Sequence, residues 1–165
     1  LARYYHDQFN MKVVCPMPSN IYGPGDTFDL ERSHVLSALV RRFIEAREQS
    51  ATEISLWGTG RARREFVHVA DVVRAMVFFM GEVQTPEPVN LGPGDDVSIA
   101  ELALLISEMV GFRGQIHWDV SKPDGMPRKC MDVSLLKSFG FTTQISLRDG
   151  IGEVIREYEA KRIQQ

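Results

Sequence analysis

The stretch that decides the fold class is LARYYHDQFNMKVVCP, residues 1–16. Its first ten residues carry apolar side chains at helical spacing, which predicts a helix over residues 1–10. The β-branched run that follows predicts a buried strand over residues 12–15, ending at Pro16. A helix followed directly by a buried strand is typical of α/β proteins, so we predict an α/β fold.

Helical and strand patterns alternate along the rest of the chain. The clearest helix is predicted over residues 33–49, with Ser33 as its N-cap. Residues 54–57 and 65–69 are predicted to form a hairpin-like unit around a glycine turn. Another helix is predicted to begin with a capping box at Ser98. The remaining predicted elements are a loop over 16–31, helices over 71–80, 98–110, 134–139 and 146–160, and strands over 88–91 and 115–118.

The composition predicts one globular domain with an apolar core. The 165 residues are 44% hydrophobic, and the formal net charge is only −3, so no general attraction to nucleic acid or anionic lipid is expected. No apolar run reaches the roughly 20 residues that a membrane span needs, and the cytoplasm is the default location. Cys15 and Cys130 lack metal-ligand spacing. We expect two reduced thiols and no metal site.

No glycine-rich phosphate loop is present in the sequence. Gly23-Pro24-Gly25 lacks a third glycine and a following helix, and Gly58-Thr59-Gly60 leads into arginines and another strand. Both segments are interpreted as turns. The chain alone is therefore not expected to hold a dinucleotide in the usual way.

A set of cations accompanies the turns and one aromatic residue, Trp57. Guanidinium groups match phosphate geometry with paired hydrogen bonds, so a pocket for a diphosphate and a base is one interpretation. The simpler alternative is a set of solvated surface charges. The cations are Arg41, Arg42, Arg61, Arg63, Arg64, Lys122, Arg128 and Lys129.

His34 is the strongest histidine candidate for proton transfer. It stands beside the predicted N-cap, next to a Pro/Gly-rich loop, where an imidazole would be accessible. A surface or capping histidine is the alternative. His68, inside an apolar strand, is interpreted as a packed structural residue. His6 and His117 have no candidate catalytic or metal-ligating residues near them in the sequence.

Two groups of motifs carry a family resemblance. The run from Pro18 to Pro24, PSNIYGP, resembles the extended short-chain dehydrogenase/reductases, in which this loop lies near the nicotinamide. Further motifs make the chain similar to the GDP-L-fucose synthase family from end to end. They are Ser33-His34-Val35, Arg41-Arg42-Phe43, Trp57-Gly58-Thr59-Gly60, Arg64-Glu65-Phe66-Val67-His68-Val69 and the segment from Ser121 to Lys129.

The resemblance implies a two-part enzyme with an NADP-binding Rossmann domain and a smaller α/β substrate domain, usually in a homodimer. Such enzymes convert GDP-4-keto-6-deoxy-D-mannose to GDP-L-fucose by epimerisation at C3 and C5 and reduction at C4. Residues 1–165 would then be a single C-terminal portion, holding the last Rossmann elements and the nucleotide-sugar-binding domain. The dinucleotide-binding half would precede Leu1.

The resemblance also implies roles for individual residues. His34 would be the proton donor of the epimerisation and would lie close to the cofactor. The loop residues that would contact NADP are Pro18, Ser19, Asn20 and Ile21. The residues that would bind the GDP-sugar are Arg42, Trp57, Arg64 and Asp124.

One departure limits what this chain is expected to do alone. Neither Tyr4 nor Tyr5 has a lysine four positions later, so the Tyr-x-x-x-Lys pair of the family is missing, and hydride transfer is not expected. Two alternatives stay open: a non-catalytic nucleotide-sugar-binding or interaction module, and a related epimerase or dehydratase with another sugar nucleotide. Strands belonging to an absent sheet would expose their edges, so we expect the chain to associate.

Overall fold

The computed structural model describes residues 1–30, 32–82 and 85–163, and helices alternate with short strands throughout this part of the chain. The helices are α1 Ala2–Phe9, α2 Val35–Glu48, α3 Val69–Glu82, α4 Ile99–Val110, α5 Ser134–Ser138 and α6 Leu147–Ile163. The strands are β1 Cys15–Pro18, β2 Asn20–Tyr22, β3 Glu53–Trp57, β4 Arg63–Arg64, β5 Phe66–His68, β6 Pro88–Leu91, β7 Val97–Ser98, β8 Gln115–Asp119 and β9 Arg128–Lys129.

The strand pairs are mainly parallel, and their partners are distant in the sequence. β1 pairs with β6, β2 with β5 and β3 with β8, all in parallel. The short strand β4 lies between β7, antiparallel to it, and β9, parallel to it. Parallel pairing requires long crossover connections, which the helices supply. The predicted α/β class is confirmed.

The predicted hairpin between residues 54–57 and 65–69 is wrong. β3 pairs with β8, whereas β5 pairs with β2. All three residues of β5 are buried, and a short strand buried on both faces suits a parallel partner better than a solvent-facing hairpin. The glycine turn after β3 therefore leads the chain away from that strand.

The first strand also differs from its prediction, because it runs over Cys15–Pro18 rather than residues 12–15. The Ser19 N–H donates to the carbonyl oxygen of Leu91, 2.9 Å away, so alternate N–H groups face β6. Pro16 and Pro18 have the opposite parity, and their missing N–H groups fall on the other edge, where proline is tolerated. The predicted loop over 16–31 therefore contains β1 and β2. Glu31 lies outside the described residues.

Two predicted helix starts have different outcomes. The Ser98 capping box is confirmed, since its hydroxyl accepts from the Glu101 N–H and the Glu101 carboxylate accepts from the Ser98 N–H. Ser33 is not the N-cap of α2. That position is occupied by His34, whose side chain makes no capping hydrogen bond.

Two apolar cores hold these elements. The larger one joins α2, α4 and α6 around Phe43, Ile106 and Val154. The smaller one packs α3 and α5 against β5 and β6. α3 also leaves apolar side chains exposed, among them Val77 and Met80. Among the described helices, none combines the length and apolar content that a bilayer crossing requires.

Candidate functional site

A cleft of about 590 Å³ opens between α2 and the strands β3 and β8. Arg42 and Trp57 both line it, and so do the two neighbours of His34 in sequence. The structure thus brings two of the predicted site residues, Arg42 and Trp57, to one cleft, and His34 itself is not among its lining residues. The lining residues are Leu30, Ser33, Val35, Ala38, Leu39, Arg42, Leu56, Trp57, Ile99 and Trp118.

Arg42 supplies the positive charge of this cleft. Its side chain extends from α2 to β3, where Nη2 donates to the carbonyl oxygen of Ser55. Burial lowers the pKa of the Arg42 guanidinium, which still stays charged at neutral pH. One hydrogen bond leaves most of its five N–H donors available, so the group can still bind an anion.

Trp57 presents an aromatic face at the mouth of the cleft. It is 71% exposed, although the other two apolar residues of its strand, Ile54 and Leu56, are buried. The Lys122 ammonium lies 5.7 Å from the ring centroid, in cation–π contact. An exposed indole beside a cation offers both stacking and charge to a nucleotide.

Asp124 fastens the segment that carries Lys122 to the turn after Trp57. Its carboxylate oxygens accept from the Thr59 N–H and the Thr59 hydroxyl, each at 2.6 Å. These hydrogen bonds hold the pKa of the Asp124 carboxyl below its usual range. Gly58, at φ +80°, has no room for a Cβ against this carboxylate. Asp124 therefore holds the segment that carries Lys122 against the turn after Trp57.

Arg64 faces a different space from Arg42. It lines a neighbouring cavity of about 350 Å³, together with His68 and Asp71. Its Nη1 donates to the carbonyl oxygen of Met126 at 2.7 Å. Arg64 therefore helps Asp124 to hold the segment that carries Lys122. The structure does not place Arg64 among the residues lining the larger cleft.

The residues predicted to contact the cofactor lie at the junction of β1 and β2. Pro18 and Ile21 are exposed there. The Ser19 hydroxyl is buried and has no hydrogen-bond partner in the described structure, whereas the Asn20 side-chain N–H donates to the carbonyl oxygen of Glu65 at 2.7 Å. An orphaned hydroxyl next to two exposed residues fits a segment that contacts a polar ligand.

The structure divides the cations of the sequence into two groups. Arg41 pairs with Glu45, and Arg63 and Arg128 both pair with Asp96, whose pKa they hold below its usual range. These three guanidinium groups are structural. Over residues 1–30, 32–82 and 85–163, no ion pair forms at the other cations of the set, which are Arg42, Arg61, Arg64, Lys122 and Lys129.

The structure tests the interpretation of one histidine, His68. His68 is 3% exposed and packs edge-on against Tyr22, which confirms a packed histidine. Burial, aided by Asp71, raises the pKa of the Tyr22 hydroxyl. Cys15 and Cys130 are free thiols. Within the described ranges, no group of histidine, cysteine and carboxylate side chains could hold a metal ion.

Sequence reasoning missed two buried carboxylates beside the site, Glu65 and Asp71. Neither exposes any surface to solvent, and each accepts hydrogen bonds from main-chain N–H groups of distant segments. The signal for Glu65 was an acidic residue directly before an apolar strand. Asp71, at the start of a helix, could only have been predicted as a helix-dipole residue.

Parallel strand pairs covered by helices, beside a cleft with an indole and an unpaired guanidinium, define an α/β protein with a site suited to a nucleotide. The family model of the NAD dependent epimerase/dehydratase family matches residues 1–92. The chain belongs to this family, and its fold is that of the extended short-chain dehydrogenase/reductases.

Several characterised proteins are similar to the chain. GDP-L-fucose synthase 1 of Arabidopsis thaliana is 49% identical over 154 residues, which cover 93% of this chain and 48% of that protein. GDP-L-fucose synthase of Escherichia coli is 41% identical over 92% of this chain and 50% of its own length. The NADP-bound GDP-mannoheptose C4 reductase of Campylobacter jejuni superposes with a TM-score of 0.84 at 28% identity, covering 96% of this chain and 56% of that one. The chain thus spans about half the length of the curated relatives it matches.

Proposed function

We propose that the chain is the nucleotide-sugar-binding part of an NADP-dependent GDP-4-keto-6-deoxy-D-mannose 3,5-epimerase/4-reductase, which makes GDP-L-fucose. The observation that carries the proposal is the cleft where the exposed Trp57 indole and the unpaired Arg42 guanidinium meet. An indole stacks on a base, and a guanidinium neutralises a diphosphate. Similarity to proteins named GDP-L-fucose synthase supports GDP as the nucleotide.

The proposal gives each part of the site a role. Arg42 and Trp57 bind the nucleotide, Arg64 lies beside the sugar, and Asp124 holds the loop that carries Lys122 against Thr59. His34, at the exposed start of α2, donates the proton of the epimerisation. NADPH supplies the hydride for C4 in the whole enzyme. The segment that would contact it consists of Pro18, Ser19, Asn20 and Ile21.

Titration of the 165-residue chain with GDP, UDP and NADPH tests this proposal. We expect GDP to bind roughly tenfold more tightly than UDP, because a cleft that hydrogen-bonds one base leaves polar groups unpaired with another. NADPH should bind weakly, since the chain has no glycine-rich phosphate loop. Isothermal titration calorimetry measures all three affinities. Equal affinity for GDP and UDP would contradict a GDP-specific site.

A variant pair localises the binding. Trp57→Ala should weaken GDP binding by a factor of about 5 to 150, since base stacking on an aromatic side chain contributes about 1–3 kcal/mol. Tyr4→Ala is the matched control, because Tyr4 is a similarly exposed aromatic residue on α1, away from the cleft. Unchanged GDP affinity in Trp57→Ala would remove Trp57 from the site.

We also propose that the chain self-associates, as the homodimers of the resembled family do. The edge of β1 opposite β6 has no strand partner among the described residues, and α3 exposes Val77 and Met80. Replacing Met80 with Lys should shift sedimentation velocity profiles towards monomer, because the ammonium resists burial in an interface. A wild-type chain that remains monomeric at high concentration contradicts association. Its cytoplasmic location stays a prediction.

A further inference from the structure

Glu65 is a fully buried carboxylate that lies between β4 and β5. Oε1 accepts from the Gly94 N–H at 2.7 Å, and Oε2 accepts from the Met131 N–H at 2.9 Å. No ion pair to Glu65 forms within the described part of the chain. A buried charge is costly unless it is well hydrogen-bonded, so these two main-chain donors account for its presence.

The main chain of Glu65 joins two further segments. Its carbonyl oxygen accepts from the Asn20 side chain at 2.7 Å, and its N–H donates to the Lys129 carbonyl oxygen at 3.2 Å. One residue therefore connects Asn20, Gly94, Lys129 and Met131, which are far apart in the sequence. The first of these belongs to the proposed cofactor segment, and the last two end the segment that begins beside Trp57, where Lys122 contacts the indole.

Gly92 packs closely against the Glu65 carboxylate and the Ser19 hydroxyl. A Cβ at Gly92 would collide with Oε1 and would lie 3.1 Å from the Ser19 hydroxyl oxygen. The glycine thus lets the carboxylate and the cofactor segment approach the same point.

We propose that Glu65 is a positioning residue that sets the segment beside the nucleotide-sugar cleft, residues 121–131, relative to the cofactor segment. This segment is fastened by Asp124 at Thr59, by Arg64 at Met126 and by Glu65 at Met131. Of these three contacts, the one at Glu65 also reaches Asn20, through its carbonyl oxygen. That one segment contacts the cofactor and the other lies beside a nucleotide-sugar cleft rests on the proposed function, whereas the hydrogen bonds through which Glu65 joins the two segments do not.

Glu65→Gln tests the link with almost no change in volume. The new amide NH₂ must face one of the two N–H donors, so one buried donor loses its acceptor. We expect hydrogen–deuterium exchange of the wild-type-length chain to become about tenfold to a hundredfold faster in residues 121–131 and also in residues 16–22. GDP affinity should fall about tenfold. Glu53→Gln is the matched control, since Glu53 is an exposed carboxylate at the start of β3.

A second control separates positioning from general destabilisation. Ile106→Val removes one buried methylene from the larger core, away from Glu65, and should lower unfolding stability without changing GDP affinity or exchange in the two segments. If Ile106→Val weakens GDP binding as much as Glu65→Gln does, Glu65 has no positioning role. The exchange readout decides the question even if the wild-type chain binds no GDP, an outcome that would overturn only the proposed function.

Asn20→Ala keeps the inference testable if Glu65→Gln fails to fold. It removes the hydrogen bond to the Glu65 carbonyl oxygen and leaves the carboxylate intact. Faster exchange should then spread from residues 16–22 to residues 128–131. An increase confined to residues 16–22 would overturn the proposed link.

Discussion

Replacing His34 with Gln should slow epimerisation by a factor of about 10² to 10⁴ when the chain is joined to a complementary amino-terminal half. The factor is the usual contribution of a positioned general acid or base. The Escherichia coli GDP-L-fucose synthase, 41% identical to this chain over 160 residues, can supply that half in a chimaera. Glutamine keeps a polar side chain of similar reach, but it cannot donate a proton near neutral pH.

The position of His34 explains why so large an effect is expected from an exposed residue. It is the N-cap of α2, but no capping hydrogen bond fixes its imidazole to the helix. Its neighbours Ser33 and Val35 line the cleft with Arg42 and Trp57. Substitution should therefore change proton transfer while α2 and the nucleotide affinity stay intact.

Proton transfer is followed by the incorporation of solvent deuterium at C3 and C5 of the sugar, measured by NMR or mass spectrometry. His117→Gln is the matched control, because His117 is an exposed histidine whose side chain lies near Glu53 rather than in the cleft. Deuterium incorporation at the wild-type rate in His34→Gln would show that another group donates the proton.

The elements that sequence reasoning predicted well are those whose signals are local. α4 begins at a serine and glutamate that cap each other and ends at Gly111 in the left-handed region, and both signals lie within one turn of the helix they delimit. The start of α2 was displaced by one residue because Ser33 and His34 both precede its apolar stripe. The Ser33 hydroxyl is buried without a partner instead of capping the helix.

Strand pairing was harder to predict because it depends on contacts between distant segments. Residues 54–57 and 65–69 flank a glycine turn, which favours a hairpin locally. In the fold, β3 gains a five-residue parallel ladder with β8, and β5 is buried beside β2. These long-range pairings outweigh the local turn signal, and no short-range pattern encodes them.

The candidate site shows a similar limit. The arginines were visible in the sequence, but their roles depend on which of them meet a carboxylate in space. Arg63 and Arg128 share Asp96, more than thirty positions from either of them in sequence, whereas Arg42 reaches only a carbonyl oxygen. The sequence therefore showed a set of cations and left open whether they form a binding site, and the fold determines which of them remain unpaired and available to a ligand.

Removing the Asp71 carboxylate should cost about 3 kcal/mol of unfolding free energy, the largest stability effect we expect from a single polar substitution in this chain. The side chain is fully buried and pairs with Arg74. It also accepts hydrogen bonds from the N–H groups of Gln144 and Ile145, at 3.0–3.1 Å. Asp71→Ala would leave both N–H groups and a guanidinium without their acceptor, and breaking a partly buried ion pair is expensive.

Loss of the Asp71 carboxylate should also loosen residues that lie between α3 and the candidate site. The segment that Asp71 holds leads directly into α6, and the Glu157 carboxylate of α6 accepts from the Gly25 N–H at 3.0 Å. Gly25 belongs to the loop that ends at His34. A loosened start of α6 should therefore accelerate hydrogen–deuterium exchange in residues 23–30 as well as in residues 142–147.

Urea unfolding followed by circular dichroism measures the stability change, and Asp95→Ala provides the comparison. Asp95 is an exposed carboxylate that lines the same 350 Å³ cavity, so its loss should change the unfolding free energy by no more than about 0.5 kcal/mol. Equal costs for the two variants would mean that the net charge of the cavity matters, rather than the hydrogen bonds to Gln144 and Ile145. A cost below about 1 kcal/mol for Asp71→Ala would show that water or a neighbouring group replaces the carboxylate. The start of α6 would then owe its position to the apolar core around Ile151 alone.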